Sequence, residues 1–125
     1  MRLLLDTNAL LWALSGAPRI RAVEPLILSD DTEVFVSAAS FWEIAIKTSI
    51  GKLAASVGEI REAALGSGFR ELAVHGQHAE TLSNLPLHHR DPFDRMIVAQ
   101  AITEPMRLLT GDRQLSVYSE LVKVF

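Results

Sequence analysis

Arg2-Leu3-Leu4-Leu5-Asp6-Thr7-Asn8-Ala9-Leu10-Leu11-Trp12 decides the fold. An apolar run stops abruptly at an acid and two small polar residues, and a second apolar run follows. The pattern reads as a strand, a turn and a helix, with the helix cap near Thr7 or Asn8. The same grammar recurs outward from this stretch. Glu33–Ser37 is a β-branched and aromatic strand, and Ala38–Ile50 is a helix by the spacing of Phe41, Trp42, Ala45, Ile46 and Ile50, stopped by Gly51. Glu71–Val74 reads as a strand and Gln77–Leu82 as a short helix, with Asn84–Arg90 as loop. Asp91-Pro92 opens a helix that runs to about Thr103. Met106–Thr110 is a strand, Asp112–Leu115 a helical turn and Leu121–Val124 a last strand. Helical stretches Ala9–Leu14, Pro18–Leu28 and Val57–Leu65 fill the intervals. Strands alternating with helices predict an α/β fold, a parallel sheet with helices on both faces. Pro and Gly fall between elements, so residues 1–125 read as one domain.

Composition narrows the function. The chain has 125 residues, 49% of them hydrophobic and 22% charged, which is long enough to bury a sizeable core. The absence of cysteine excludes a disulfide scaffold and a thiolate metal site. Met1–Leu5 is too short for a secretory leader and no apolar stretch reaches membrane-spanning length, so a soluble intracellular protein is expected. The net charge of −3 argues against a nucleic-acid partner only if it is spread evenly. Were four acids occupied by metal, the remaining eleven acids would face twelve Lys and Arg.

Four acids can converge. Asp6 and Asp112 follow strands, and Glu43 lies about one and a half turns beyond the Glu33–Ser37 strand. Asp94 sits in the first turn of a helix leading back toward a strand. In an open parallel sheet, strand carboxyl ends and helix N-termini share the edge where ligands bind. Clustered carboxylates repel unless a cation compensates, and hard oxygen donors suit Mg²⁺ or Mn²⁺. Such ions activate water and stabilise charge on a phosphodiester.

Each acid also has an ordinary reading. Ser40-Phe41-Trp42-Glu43 fits a capping box, Asp94 complements a helix dipole, Asp112 fits a cap and Asp6 a strand-end turn. Asp91 reads first as a helix cap, because Pro92 follows it. Lys47 is an i,i+4 partner for Glu43 and, second, a phosphate contact. Arg90 and Arg95 flank the acidic turn as candidate RNA contacts or solvated charges. His75, His78, His88 and His89 are expected at the surface, and Trp12, Phe41 and Trp42 in the core.

The residues resemble a known family. Leu3–Trp12, Ser40–Lys47, Gly51-Lys52-Leu53, His89–Ala101 and Leu108–Asp112, in that order, are similar to PIN-domain toxins of VapC type. The resemblance implies a three-layer α/β/α fold with a five-stranded parallel sheet. It places the family's acidic quartet on Asp6, Glu43, Asp94 and Asp112, adds Asp91 as a further acid, and makes Asn8 and Thr110 supports of the ligands. It implies a Mg²⁺- or Mn²⁺-dependent endoribonuclease cutting structured RNA, commonly transfer or ribosomal RNA, to arrest translation. It also implies a VapB-like antitoxin that blocks the acidic site, and a homodimer. Gly111 stands where the family often has Ala, a change expected to loosen the turn before Asp112. Two alternatives belong to other classes. One is a PIN-like interaction module without catalysis. The other is a phosphatase of the haloacid-dehalogenase kind, whose motif wants a second Asp where this chain has Asn8.

Overall fold

A computed structural model describes all residues 1–125. Five strands, β1 (Arg2–Leu5), β2 (Glu33–Ser37), β3 (Arg70–Leu72), β4 (Arg107–Thr110) and β5 (Val122–Val124), alternate with helices. The helices are α1 (Thr7–Ser15), α2 (Glu24–Ile27), α3 (Ala38–Ser49), α4 (Val57–Gly66), α5 (Gly76–Ser83) and α6 (Pro92–Thr103), with 3₁₀ turns at Pro18–Val23 and Arg113–Val117. The sheet is parallel throughout, in the order β3-β2-β1-β4-β5.

The apolar run of β1 is what a central parallel strand requires, because helices cover both of its faces. Leu3 and Leu5 pack with Ala9 and Leu10 of α1, Phe41 and Ile44 of α3 and Ala64 of α4. Leu4, one residue out of phase, packs on the other face with Ile97, Val98 and Ala101 of α6. The same alternation sends Leu109 to the first cluster and Leu108 to the second. The five strand leucines are fully buried, and removal from water contributes roughly 2 kcal/mol for each.

Two expected segments change shape, and one expected surface residue is buried. The Pro18–Leu28 stretch divides into the 3₁₀ turn and the single turn α2, since Pro25 has no N–H to continue the ladder. The third strand is Arg70–Leu72, paired from Phe35 to Ser37 of β2, rather than Glu71–Val74. Beyond it the Ala73 carbonyl accepts the Gln100 side chain. His78 is 1% exposed, not at the surface. Its Nε2 lies 2.6 Å from Glu104 and its Nδ1 accepts the His75 N–H, so the ring fastens α5 to the end of α6. His75 and His88 are exposed as expected.

The chain passes outward from β1 to β2 and β3, then returns to β4 on the other flank of β1. Strand order therefore reverses between β1 and β4, and a parallel sheet opens a crevice at the carboxyl end of such a reversal.

Candidate metal centre

Asp6 is the first residue after β1 and the cap of α1. Its Oδ1 accepts the Ala9 N–H at 2.8 Å. The cap falls one residue before the expected Thr7 or Asn8, and α1 begins earlier in consequence. The other oxygen accepts the Thr110 hydroxyl. Thr110 ends β4, beside β1, and its Oγ1 also accepts the Asp112 N–H at 3.0 Å. One hydroxyl thus ties both strand-end acids together. Asp112 in turn caps the 3₁₀ turn through the Gln114 N–H at 2.9 Å.

Glu43 approaches from α3. That helix is capped by Ser37, which accepts the Ala39 N–H at 3.0 Å. The capping-box reading of Ser40 and Glu43 is therefore incorrect. Ser40 already lies inside the helix, and its hydroxyl accepts from Thr7 at 2.9 Å. Glu43 is 6% exposed. Its Oε2 meets Lys47 at 2.8 Å, the expected i,i+4 pair, while its buried Oε1 has no partner.

Asp91 caps α6, accepting the Phe93 and Asp94 N–H groups at 2.9 and 3.0 Å, with Pro92 in the first helical position. This directs Asp94 to the crevice from the first turn. A cleft of about 320 Å³ is lined by Asp6, Asn8, Trp12, Asp94, Gly111 and Asp112. A second depression of about 220 Å³ holds Glu43, Lys47, Lys52, Asp91 and Phe93 among its walls.

The acids feel one another. Burial first, then the charges of Asp91, Asp6 and Glu43, push the Asp94 carboxyl up to about 7, against the favourable effect of His89. Burial also raises Asp6; the Thr110 and Ala9 hydrogen bonds oppose it, and Glu43 and Asp112 add to it. The Lys47 ammonium is held above its ordinary range by its bond to Glu43, with help from Asp91 and Asp94. Carboxyls whose ionisation is resisted in this way favour a compensating cation, which would stabilise their charged forms. The donor set is all hard oxygen, and Glu43 Oε1 is a buried oxygen without a partner, so the residues fit Mg²⁺ or Mn²⁺.

Four sequence expectations need correction. His89 is not a free surface residue: its Nε2 lies 3.1 Å from Asp112 and 3.8 Å from Asp94. Arg95 is committed internally, donating to the Pro86 carbonyl at 2.9 Å and the Tyr118 hydroxyl at 3.1 Å. Arg90 remains exposed, one residue before the Asp91 cap. Trp42 is 64% exposed rather than core, stacked edge-on against Phe93 with ring centroids 5.0 Å apart. Phe41 is buried as expected, and Trp12 is half-buried at the cleft. Gly111 does not loosen its turn. A Cβ there would lie 2.9 Å from the Trp12 ring, so the glycine is what lets Trp12 and Arg19 close over the turn.

The chain belongs to the PIN domain family, whose model matches residues 3–121. The phosphatase alternative has no support beside that match. No curated protein matches the sequence significantly. Among solved structures, VapBC2 of Rickettsia felis bound to a promoter DNA fragment is similar over 100% of this chain and 99% of its own, at TM-score 0.76 and 16% identity. A toxin–antitoxin complex of Klebsiella pneumoniae matches 98% of this chain and 96% of its own, at TM-score 0.67 and 18% identity. VapBC-1 of nontypeable Haemophilus influenzae matches 99% and 98%, at TM-score 0.65 and 17% identity.

Proposed function

We propose that the protein is the toxin of a type II toxin–antitoxin pair, a VapC-type endoribonuclease dependent on Mg²⁺ or Mn²⁺. The observation that carries this reading is the gathering of Asp6, Asp94 and Asp112 in one cleft at the strand-order reversal, near enough to Glu43 for its charge to raise Asp6 and Asp94, with Asp94 at about 7 and Glu43 Oε1 left unpartnered. Asp6, Glu43, Asp94 and Asp112 would hold the metal, with Asp91, Asn8 and Thr110 supporting them. When bound, a divalent ion supplies an activated water and stabilises charge on the phosphodiester. The chain's own contributions are positional. Thr110 and the α1 N-terminus orient Asp6, Lys47 steadies Glu43, and the Asp91 cap sets the first turn of α6. Lys47, Lys52 and the exposed Arg90 are the cations that would meet the RNA backbone.

Structured RNA, transfer or ribosomal, is the proposed substrate, its cleavage arresting translation in the cytoplasm. The solved structures of similar fold are toxin–antitoxin complexes, which supports a VapB-like antitoxin as partner. No helix is long and apolar enough to cross a membrane. A homodimer is proposed through the exposed apolar stripe of Trp42 and Ile46 on α3 and Ile50 at its C-terminal cap, with the adjoining groove of about 460 Å³ between Trp42, Val74, Leu82, Phe93 and Met96.

The test is cleavage of total cellular RNA by purified protein freed of any antitoxin, with Mg²⁺, Mn²⁺ or EDTA, beside Asp6→Asn. Discrete cuts that vanish with EDTA and in the variant are expected. Cuts that persist in both would overturn the metal-site reading, and their absence from folded protein with either metal would favour an interaction module.

A further inference from the structure

His89 is the one non-acidic side chain whose polar atom reaches two of the clustered carboxylates. It precedes the Asp91 cap by two residues, and its ring is held from both sides. Nδ1 accepts the Asp91 backbone N–H at 3.1 Å. A backbone N–H can only donate, so that nitrogen presents its lone pair and the neutral ring carries its proton on Nε2. Nε2 then donates to Asp112 Oδ2 at 3.1 Å. The loop is itself pinned, because the Tyr118 hydroxyl accepts the His88 and His89 N–H groups at 3.1 and 2.8 Å.

Asp112 has reason to need this bond. Its side chain is 38% exposed, against 23% for Asp94 and 8% for Glu43. Its other oxygen is drawn toward the Gln114 N–H of its own turn. Without Nε2, nothing on the α6 side of the cleft holds the carboxylate toward Asp94. The ligand-type atoms of His89, Asp94 and Asp112 all lie within 4.8 Å of one another. The bond therefore joins two chain segments 23 residues apart at the point where β4 and α6 must present their acids together.

We propose that His89 is a positioning residue of the metal site. Its Nε2–H turns the Asp112 carboxylate into the cleft, while its Nδ1 rests on the Asp91 N–H at the α6 cap. The proposal rests on the metal-nuclease reading above. A hydrogen bond behind a carboxylate ligand fixes its direction, and loss of such an outer bond typically weakens metal affinity by about 10- to 100-fold.

Two conservative variants separate this role from simple loop support. Gln places an amide N–H where Nε2 stands but offers nothing at Nδ1. Asn offers an acceptor to the Asp91 N–H but does not reach Asp112. Mn²⁺ affinity is measured by calorimetry on antitoxin-free full-length wild type, His89→Gln and His89→Asn, with thermal melts for folding and RNA cleavage alongside. His89→Gln is expected to stay within about threefold of wild type, and His89→Asn to bind at least about tenfold more weakly while remaining folded. A role in the loop alone gives the reverse order, with Asn rescuing and Gln failing, and overturns the proposal. Equal affinity in all three proteins also overturns it while leaving the nuclease reading intact. So does nitrogen hyperfine coupling to bound Mn²⁺, which would make His89 a ligand. A wild type that binds no Mn²⁺ and cuts no RNA overturns both readings together.

Discussion

Asp94 concentrates the electrostatic tension of the molecule. Its carboxyl stands at about 7 in the folded state against 3.8 ordinarily. Between those values the folded protein holds a proton that the unfolded chain has released. The Asp94 contribution to stability therefore falls as pH rises from about 4 to 7, and the loss is complete above it. The interval corresponds to at most about 4 kcal/mol, reduced by solvent at a side chain that is 23% exposed. Asp94→Asn has no charge to bury. In EDTA, its unfolding free energy from urea titration should match wild type near pH 4 and exceed it by on the order of 2 kcal/mol at pH 8, while Mn²⁺ binding and RNA cleavage are lost. Equal free energies at pH 8 would mean that Asp94 bears no such repulsion.

At the scale of elements, the turn after β4 is closely packed on α1 and the Pro18–Val23 turn. Gly111 separates Thr110, which ties Asp6 to the Asp112 backbone, from Asp112 itself. Trp12 of α1 fills the space a side chain would occupy, packed edge-on against Phe125 at 5.8 Å, with Arg19 lying 5.1 Å over its ring. Arg19 also donates to the Gly111 and Phe125 carbonyls at 3.2 and 3.1 Å. A methyl group at 111 must displace that packing. Gly111→Ala is expected to lower stability by about 1–3 kcal/mol and to weaken Mn²⁺ binding, because the displaced turn carries Asp112. Chemical denaturation read beside calorimetry checks both, and an unchanged melting curve would show that Trp12 moves aside freely.

For the whole molecule, the exposed apolar stripe on α3 separates two accounts of Trp42. If it serves only to pack on Phe93, its replacement changes the melt and nothing else. If it lies at the centre of a homodimer, Trp42→Glu places a charge in an interface repeated twice by symmetry. Sedimentation velocity should then give a dimer for wild type and a monomer for Trp42→Glu at equal concentration, with Mn²⁺ affinity per chain unchanged. A monomeric wild type would refute the dimer.

What was legible in the chain alone was whatever depends on near neighbours. The Leu3–Leu5 run, the Asp91-Pro92 helix opening and the Glu43–Lys47 pair are local, because cap, strand and i,i+4 geometry involve residues a few positions apart. Asp6 and Asp112 could be placed at the carboxyl edge of the sheet because they follow strands within two residues, and that placement needs no knowledge of strand order. Tertiary structure decided the rest. The sequence showed His89 as a loop residue, and only the approach of β4 to α6 supplies its partner. Arg95 read as a free cation until the loop before α6 folded its carbonyls over it. Trp42 followed the helical period yet is exposed, packed edge-on against Phe93 of α6 beside an open groove. Local propensity determines which elements form, and these side chains take their roles from which elements come to lie side by side.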